Sequence, residues 1–261
     1  MEKVPDYAKK FDLTGRVAVI TGGASGIGFA AAQALGQCGA TLELIDMNAE
    51  TLKEAVGQLS SGNITAHGTV LDVTDPQAVT DAALRSKEKL GPADILINSA
   101  GIALLHSVLD ISPEDWNRVI DVDLNGTFWP SREFGRHMVE AGRGSIVNMG
   151  SMSGTIINRP QYASSYMAAK GAVHQLTRAL AVEWAKTGVR VNALAPGYIA
   201  TEMTLGMRAQ PELFNEWLNM TPMGRCGTPT EVASAILFLA SDASSYMTGA
   251  IVPIDGGYTC L

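Results

Sequence analysis

The sequence has 261 residues, of which 46% are hydrophobic, enough to bury the core of one α/β domain of ordinary size. Its net charge of −7, without any basic block, argues against a surface that binds nucleic acid or anionic membranes. The three cysteines, Cys38, Cys226 and Cys260, are scattered and lack metal-ligand spacing, which is typical of reduced thiols in a cytoplasmic protein.

The chain reads as one domain over residues 1–261, because no Pro/Ser-rich linker or change in composition divides it. Residues 1–13 are expected to form an N-terminal arm. Residues 1–15 are polar and lack the apolar centre of a secretory signal, and no apolar run reaches membrane-spanning length. A cytoplasmic protein that does not contact the membrane is therefore expected.

The first elements in chain order are a strand, a glycine-rich turn, a helix and a second strand that ends on an acid, Asp46. Gly22 permits a tight turn, Gly26 lets the backbone approach a pyrophosphate, and Gly28 lets the helix pack close to the sheet. The helix start, with Ser25 and Ile27, would present free N–H groups to the phosphates. This order of elements predicts a dinucleotide-binding unit. The strand, helix and strand are residues 16–20, 29–37 and 41–45.

Asp46 lies eighteen residues after Gly28, where its carboxylate can accept both hydroxyls of an adenosine ribose. The same charge would repel a 2′-phosphate. No Arg or Lys occurs at 23–25 or 47–48 to attract one. The sequence therefore predicts NAD rather than NADP as the coenzyme.

Predicted strands and helices alternate along the rest of the chain, which indicates a doubly wound parallel sheet of about seven strands with helices on both faces. A helical stretch from Pro113 to about Glu140 is expected to be interrupted near Gly126 and Pro130. The further strands are expected at 64–71, 94–97, 144–149, 189–194 and 251–254, and the further helices at 49–59, 76–90, 166–186 and 229–240.

Small residues follow the strand at 94–97, in the order Asn98, Ser99, Ala100, Gly101. At the carboxyl edge of a parallel sheet they leave room for a ligand, and Asn98, Ala100 and Gly101 are assigned to coenzyme binding.

Tyr166 and Lys170 are four residues apart in a predicted helix, so their side chains share one face. A nearby ammonium favours the phenolate form of a tyrosine, which suits it to proton transfer. Serines after the strand at 144–149 are expected at the same sheet edge as the glycine turn. Such a cluster beside a nicotinamide can move a proton to or from an alcohol oxygen.

These motifs, in this order over residues 13–258, resemble the short-chain dehydrogenase/reductase family. The resemblance implies a Rossmann fold, a homo-oligomer that is often a tetramer, and oxidoreduction with a nicotinamide coenzyme. It implies that Tyr166 is the general acid/base and that Lys170 lowers its pKa and holds the nicotinamide ribose. The other implied coenzyme contacts are Asp72 and Val73 at the adenine, and Ile199 and Thr201, after Pro196 and Gly197, at the carboxamide.

The sequence departs from the family in the position of the catalytic serine. Counting thirteen residues back from Tyr166 selects Ser153, whereas aligning from the strand end selects Ser151. Ser151 is preferred because the strand fixes its position, while the loop near 158–161 can absorb two extra residues. Ser153 and Asn158 would then be free to contact substrate hydroxyls. Ser151 and Tyr166 are also assigned to substrate binding.

A second departure is Asp123, where the family commonly has Asn, whose backbone carbonyl holds a water leading to the lysine. A backbone role survives this change, so Asp123 is assigned to the proton relay. Asn125 is the alternative, ranked lower.

The predicted function is the NAD-dependent interconversion of a secondary alcohol and a ketone. Residues 150–166 resemble sugar-alcohol (galactitol-type) dehydrogenases of the family and offer several hydroxyl-binding groups, among them Gln161, so a polyol or vicinal diol is the expected substrate. The alternatives are a 3-ketoacyl-thioester reductase, disfavoured by Asp46, and a non-catalytic dinucleotide-binding protein, disfavoured by the presence of both Tyr166 and Lys170. No catalytic metal is expected, since the four histidines lack ligand spacing. Residues 198–223 are interpreted as a flap over the substrate, with core or subunit interface as the alternative.

Overall fold

The computed structural model describes residues 6–260, so the first five residues of the proposed N-terminal arm lie outside the described residues. Seven parallel strands form one sheet in the order β3-β2-β1-β4-β5-β6-β7. This confirms the predicted fold class. The strands are β1 (Val17–Thr21), β2 (Thr41–Asp46), β3 (Ala66–Val70), β4 (Ile95–Asn98), β5 (Gly144–Met149), β6 (Val189–Pro196) and β7 (Ile251–Ile254).

Helices cover both faces of the sheet. The central strands are buried on both sides, which explains why β1 and β4 are continuous apolar runs rather than alternating ones. The helices are α1 (Gly26–Gln37), α2 (Ala49–Ser61), α3 (Pro76–Leu90), α4 (Pro113–Ile120), α5 (Gly126–Ala141), α6 (Ser164–Trp184), α7 (Glu202–Arg208), α8 (Pro211–Asn219) and α9 (Pro229–Ala240).

The two faces have separate hydrophobic cores. On one face α1, α2 and α9 pack through residues such as Leu35, Leu52 and Ile236. On the other face α3, α5 and α6 pack through residues such as Val79 and Phe134. In the described range, no helix combines the length and the apolar character needed to cross a bilayer.

The strand order reverses between β1 and β4, where consecutive connections lead to opposite sides of the sheet. Open α/β sheets bind ligands at such a point, beyond the carboxyl ends of the strands. The ends of β1, β4, β5 and β6 therefore place the glycine turn, the small residues after Asn98, the serine loop and Pro196–Gly197 around one crevice.

The helical stretch after Pro113 is interrupted just before Gly126, one of the two predicted positions. The break is a wide π turn at Asp121–Asn125, in which the Gly126 N–H reaches back to the Asp121 carbonyl. Pro130 lies inside α5, so the predicted interruption there is wrong.

Candidate active site

A cavity of about 650 Å³ runs along the carboxyl edge of the sheet, from Asp46 at one end to Tyr166 at the other. It brings together most of the predicted coenzyme and catalytic residues. Those that line it are Gly22, Ser25, Gly26, Ile27, Asp46, Asp72, Val73, Ala100, Gly101, Ser151, Tyr166, Lys170, Pro196, Gly197, Ile199 and Thr201. The predicted residues that do not line it are Gly28, Asn98, Asp123, Ser153 and Asn158.

The glycine turn fits close to its neighbours because it lacks side chains. A Cβ on Gly28 would collide with the carbonyl oxygen of Gly22, and one on Gly22 (φ +63°) would lie 2.8 Å from the Ala100 backbone. Ser25 caps α1 with extended backbone but makes no capping bond through its side chain, which leaves the hydroxyl available. The helix start opens into the cavity, and this cradle fits the pyrophosphate of a dinucleotide.

The Asp46 carboxylate is fixed at the end of β2. It accepts hydrogen bonds from the Ala24 N–H (3.2 Å) and the Asn48 N–H (3.1 Å), so it ties the glycine turn to the strand. Asp72, which also lines the cavity, accepts the N–H (2.9 Å) and the hydroxyl (2.8 Å) of Thr74. The two acids therefore have settled orientations at one side of the cavity.

Asn98 lies beneath the cavity rather than in its wall. Its amide donates to Ser131 Oγ and to Asn148 Oδ1, both at 2.8 Å. The side chain thereby links β4 to β5 and α5. Its predicted coenzyme contact stays a prediction, whereas the small residues that follow it do line the cavity.

Tyr166 and Lys170 lie one helical turn apart near the start of α6, with the Lys170 ammonium 5.4 Å from the centre of the Tyr166 ring. Lys170 is buried and donates to the Met149 carbonyl at 3.1 Å. This bond to the end of β5 fixes the ammonium between the phenol and the serine loop.

Asp123 forms a buried ion pair with Lys170. Its Oδ2 lies 3.2 Å from Nζ, and its Oδ1 accepts the Ile102 N–H at 2.7 Å. The backbone carbonyl assigned to the proton relay accepts the Thr127 hydroxyl at 2.8 Å. The side chain of Asp123 thus contacts the lysine directly, which the sequence interpretation did not foresee.

Burial would lower the pKa of Lys170, but the Asp123 carboxylate and the Tyr166 phenol outweigh it and raise that pKa. Burial raises the pKa of the Asp123 carboxyl, against the opposing effect of Lys170.

The two candidate serines have different surroundings. Ser151 lines the cavity, and its Oγ accepts the Ser153 N–H at 3.1 Å. Ser153 turns away and donates its hydroxyl to Asn158 Oδ1 at 2.9 Å. This placement favours Ser151 as the serine that orients the substrate oxygen.

Two residues that the sequence did not indicate, Tyr198 and Trp217, hold the loop of residues 151–161 in place. Tyr198 accepts from Asn158 Nδ2 (3.2 Å) and Gln161 Nε2 (2.9 Å), and its ring stacks on Trp217 at 3.9 Å. The Trp217 indole N–H in turn donates to Gln161 Oε1 at 3.1 Å. In the sequence, Tyr198 is marked only by its position directly after Pro196–Gly197, at the start of the proposed flap.

His174 is another residue whose role was missed. Its ring occupies the space that a Cβ on Gly150 or Gly154 would need, and Nε2 faces the Ser151 N–H at 3.4 Å. Burial lowers the pKa of His174 to about 4, which keeps the ring neutral and able to accept at neutral pH.

The proposed flap is two short helices, α7 and α8. Glu202, Met203 and Thr204 of α7 line the cavity, while Trp217 of α8 is buried in the body of the protein. In the described part of the chain, no group of three or more His, Cys, Asp or Glu side chains is arranged to hold a metal ion.

Comparison with known proteins finds relatives that match nearly the whole chain. Residues 22–259 match the family described as "Enoyl-(Acyl carrier protein) reductase". Galactitol 2-dehydrogenase (L-tagatose-forming) of Cereibacter sphaeroides is 59% identical over 97% of this chain and 99% of its own.

Solved structures show the same similarity in three dimensions. A short-chain type dehydrogenase/reductase from Mycobacterium marinum has a TM-score of 0.94 and 38% identity over 98% of this chain and 100% of its own. A gluconate 5-dehydrogenase from Burkholderia cenocepacia J2315, in complex with NADP and tartrate, has a TM-score of 0.92 and 34% identity with the same coverage.

Proposed function

This chain belongs to the short-chain dehydrogenase/reductase family, and from that premise we propose that it is an NAD-dependent polyol dehydrogenase. The enzyme class predicted from the sequence, an alcohol dehydrogenase of this family, is confirmed by the relatives. The observation that carries the proposal is the cavity that joins Asp46 to Ser151, Tyr166 and Lys170.

Ser151, Tyr166 and Lys170 have separate roles in the proposed alcohol oxidation. A bound nicotinamide coenzyme would supply the hydride acceptor. Ser151 would donate a hydrogen bond to the substrate oxygen, and Tyr166 would take the hydroxyl proton as general base. Lys170 would stabilise the phenolate and hold the nicotinamide ribose. In ketone reduction the proton would move in the opposite direction, from Tyr166 to the carbonyl oxygen.

NAD is proposed because the Asp46 carboxylate can accept the ribose hydroxyls and would repel a 2′-phosphate. Met47, the next residue, is exposed and uncharged, so it offers a phosphate no cation. The relative from Burkholderia cenocepacia holds NADP. The choice of NAD therefore depends on this chain's own residues at the end of β2.

A polyol or vicinal diol is proposed as substrate because polar side chains surround the catalytic serine. Ser153 donates to Asn158, and Asn158 and Gln161 both donate to the Tyr198 hydroxyl. The galactitol 2-dehydrogenase relative supports the same substrate class. Ser153 and Asn158 are proposed to contact substrate hydroxyls. For this contact, the hydrogen bond from Ser153 to Asn158 would have to rearrange or be shared with a substrate hydroxyl.

The test is a substrate panel followed at the NADH absorbance band. We expect turnover with NAD and galactitol or related polyols, and little with a 3-hydroxyacyl thioester. The acyl arm is included because the matching family carries an acyl-carrier-protein reductase description. Turnover of the thioester with no polyol oxidised would establish the reductase alternative. Coenzyme binding with no turnover of either would establish a non-catalytic role.

We also propose a homotetramer in the cytoplasm. Large apolar side chains are exposed on the isolated chain, including Leu109, Val182 and Tyr246, as expected of surfaces that pair in an oligomer. Cys38, Cys226 and Cys260 are free thiols, which suits a reducing compartment. Light scattering on the purified protein should give four times the 27.5 kDa chain mass. A mass of one chain would contradict the assembly.

A further inference from the structure

The ion pair between Asp123 and Lys170 is the most deeply buried pair of opposite charges among the described residues. Their side chains are 0% and 5% exposed, and the Nζ–Oδ2 distance is 3.2 Å. A pair this far from water is weakly screened, so each charge acts strongly on its neighbours.

The surroundings hold the pair in one geometry. Ile102 N–H fixes one carboxylate oxygen, and the Met149 carbonyl fixes the ammonium from the other side. A Cβ on Gly101 would lie 3.3 Å from Asp123 Oδ1 and 3.4 Å from Lys170 Nζ, so a side chain there would pack tightly against the pair.

Three titratable groups act on Lys170 from the elements around it. Asp123 comes from the π turn between α4 and α5, and Tyr166 and His174 lie on α6 itself. Strand β5 contributes the Met149 carbonyl, and the loop after β4 contributes Gly101. Asp123 supplies the negative charge that offsets the ammonium.

We propose that Asp123 is the counter-ion of Lys170 and sets the pH range in which Tyr166 and Lys170 work; this inference rests on the proposed function. The carboxylate has two opposing effects. It keeps the buried lysine protonated to higher pH, and it reduces the net positive field that the phenol experiences. Asp123 acts through Lys170, so it is a positioning residue.

The Asp123→Asn variant should therefore work over a lower pH range. Without the carboxylate, the ammonium favours the phenolate at lower pH, so the acid limb of kcat/KM for alcohol oxidation should move down by about one pH unit. The raised pKa of Lys170 loses its main cause, because burial then dominates. An alkaline limb should therefore also move to lower pH.

The experiment compares pH profiles of kcat/KM at constant ionic strength for the wild type, Asp123→Asn and Asp123→Glu. Asp123→Glu keeps the charge and should keep the wild-type shape. Asp110→Asn is the matched control, since Asp110 is exposed and its replacement makes the same change in net charge. Asp123→Ser, which is smaller, replaces Asp123→Asn if that variant does not fold. The proposal is supported if both limbs of the profile lie at lower pH in the uncharged Asp123 variant and in no other variant. An unchanged shape, or an acid limb at higher pH, would overturn it.

A second readout separates this inference from the proposed function. The ultraviolet tyrosinate band is titrated with NAD present in the wild type and Asp123→Asn, each minus its Tyr166→Phe counterpart. Ionisation of Tyr166 at lower pH in Asp123→Asn would support the inference even if no polyol were oxidised. Coincident titrations in an enzyme that does oxidise polyols would refute the inference alone.

Discussion

The kcat of the Tyr166→Phe variant is expected to fall about a hundredfold to ten-thousandfold, the range typical of losing a general acid/base. The substitution removes one oxygen atom from a side chain that lines the cavity beside Lys170. Phe keeps the ring volume, and the bonds of Lys170 to Met149 and Asp123 do not involve the phenol. The chemical step should therefore fail while the fold and the coenzyme site persist.

Two measurements separate a lost proton carrier from a damaged site. NADH binding, followed by fluorescence, should stay within a few-fold of the wild type because the glycine turn and Asp46 are untouched. Tyr162→Phe is the matched control, since Tyr162 is 72% exposed and four residues earlier in the chain. A Tyr166→Phe enzyme that kept most of its kcat would show that another group moves the proton.

Changing the end of β2 should reverse the coenzyme preference. Asp46→Ala removes the carboxylate proposed to accept the ribose hydroxyls, which should lower kcat/KM with NAD about tenfold to a hundredfold. Adding Met47→Arg supplies a guanidinium for the 2′-phosphate, so the double variant should prefer NADP. Kinetics with both coenzymes at one polyol concentration measure the change.

Asp46 also holds the glycine turn through the Ala24 N–H, so the single variant should lose some affinity for both coenzymes. The ratio of the two kcat/KM values isolates recognition of the 2′ position from this shared loss. Glu50→Gln is the control, because Glu50 is exposed in the first turn of α2 and its replacement also removes one negative charge. A double variant that still prefers NAD would show that the preference is set elsewhere.

The parts of the site that follow from local sequence could be predicted without a structure. Glycines at fixed spacing after a strand, and an acid at the end of the next, define the coenzyme cradle within 31 consecutive residues, 16–46. The same applies to Tyr166 and Lys170, whose separation by one helical turn fixes their common face. Ser151 lines the cavity, and the end of β5 fixes its position there.

The rest of the site depends on long-range packing that short spacings do not contain. The hydrogen bonds from Gln161 to Tyr198 and from Trp217 to Gln161 span 37 and 56 residues. Asp123, which contacts Lys170, lies in a π turn at Asp121–Asn125, whereas the sequence predicts only an interruption near Gly126 and Pro130 and not its form. A widened turn changes which residues face inward, and periodicity based on 3.6 residues misses this change.

The hydrogen bonds that join Ser153, Asn158, Tyr198, Gln161 and Trp217 have a consequence for how substrate range can diverge among relatives. Two separate stretches of chain, residues 153–161 and 198–217, share one set of buried and partly buried donors and acceptors. Exchanging either stretch alone would strand polar groups away from water, at a cost of about 1–3 kcal/mol for each unmatched group. A change of substrate specificity therefore costs least stability when both stretches change together.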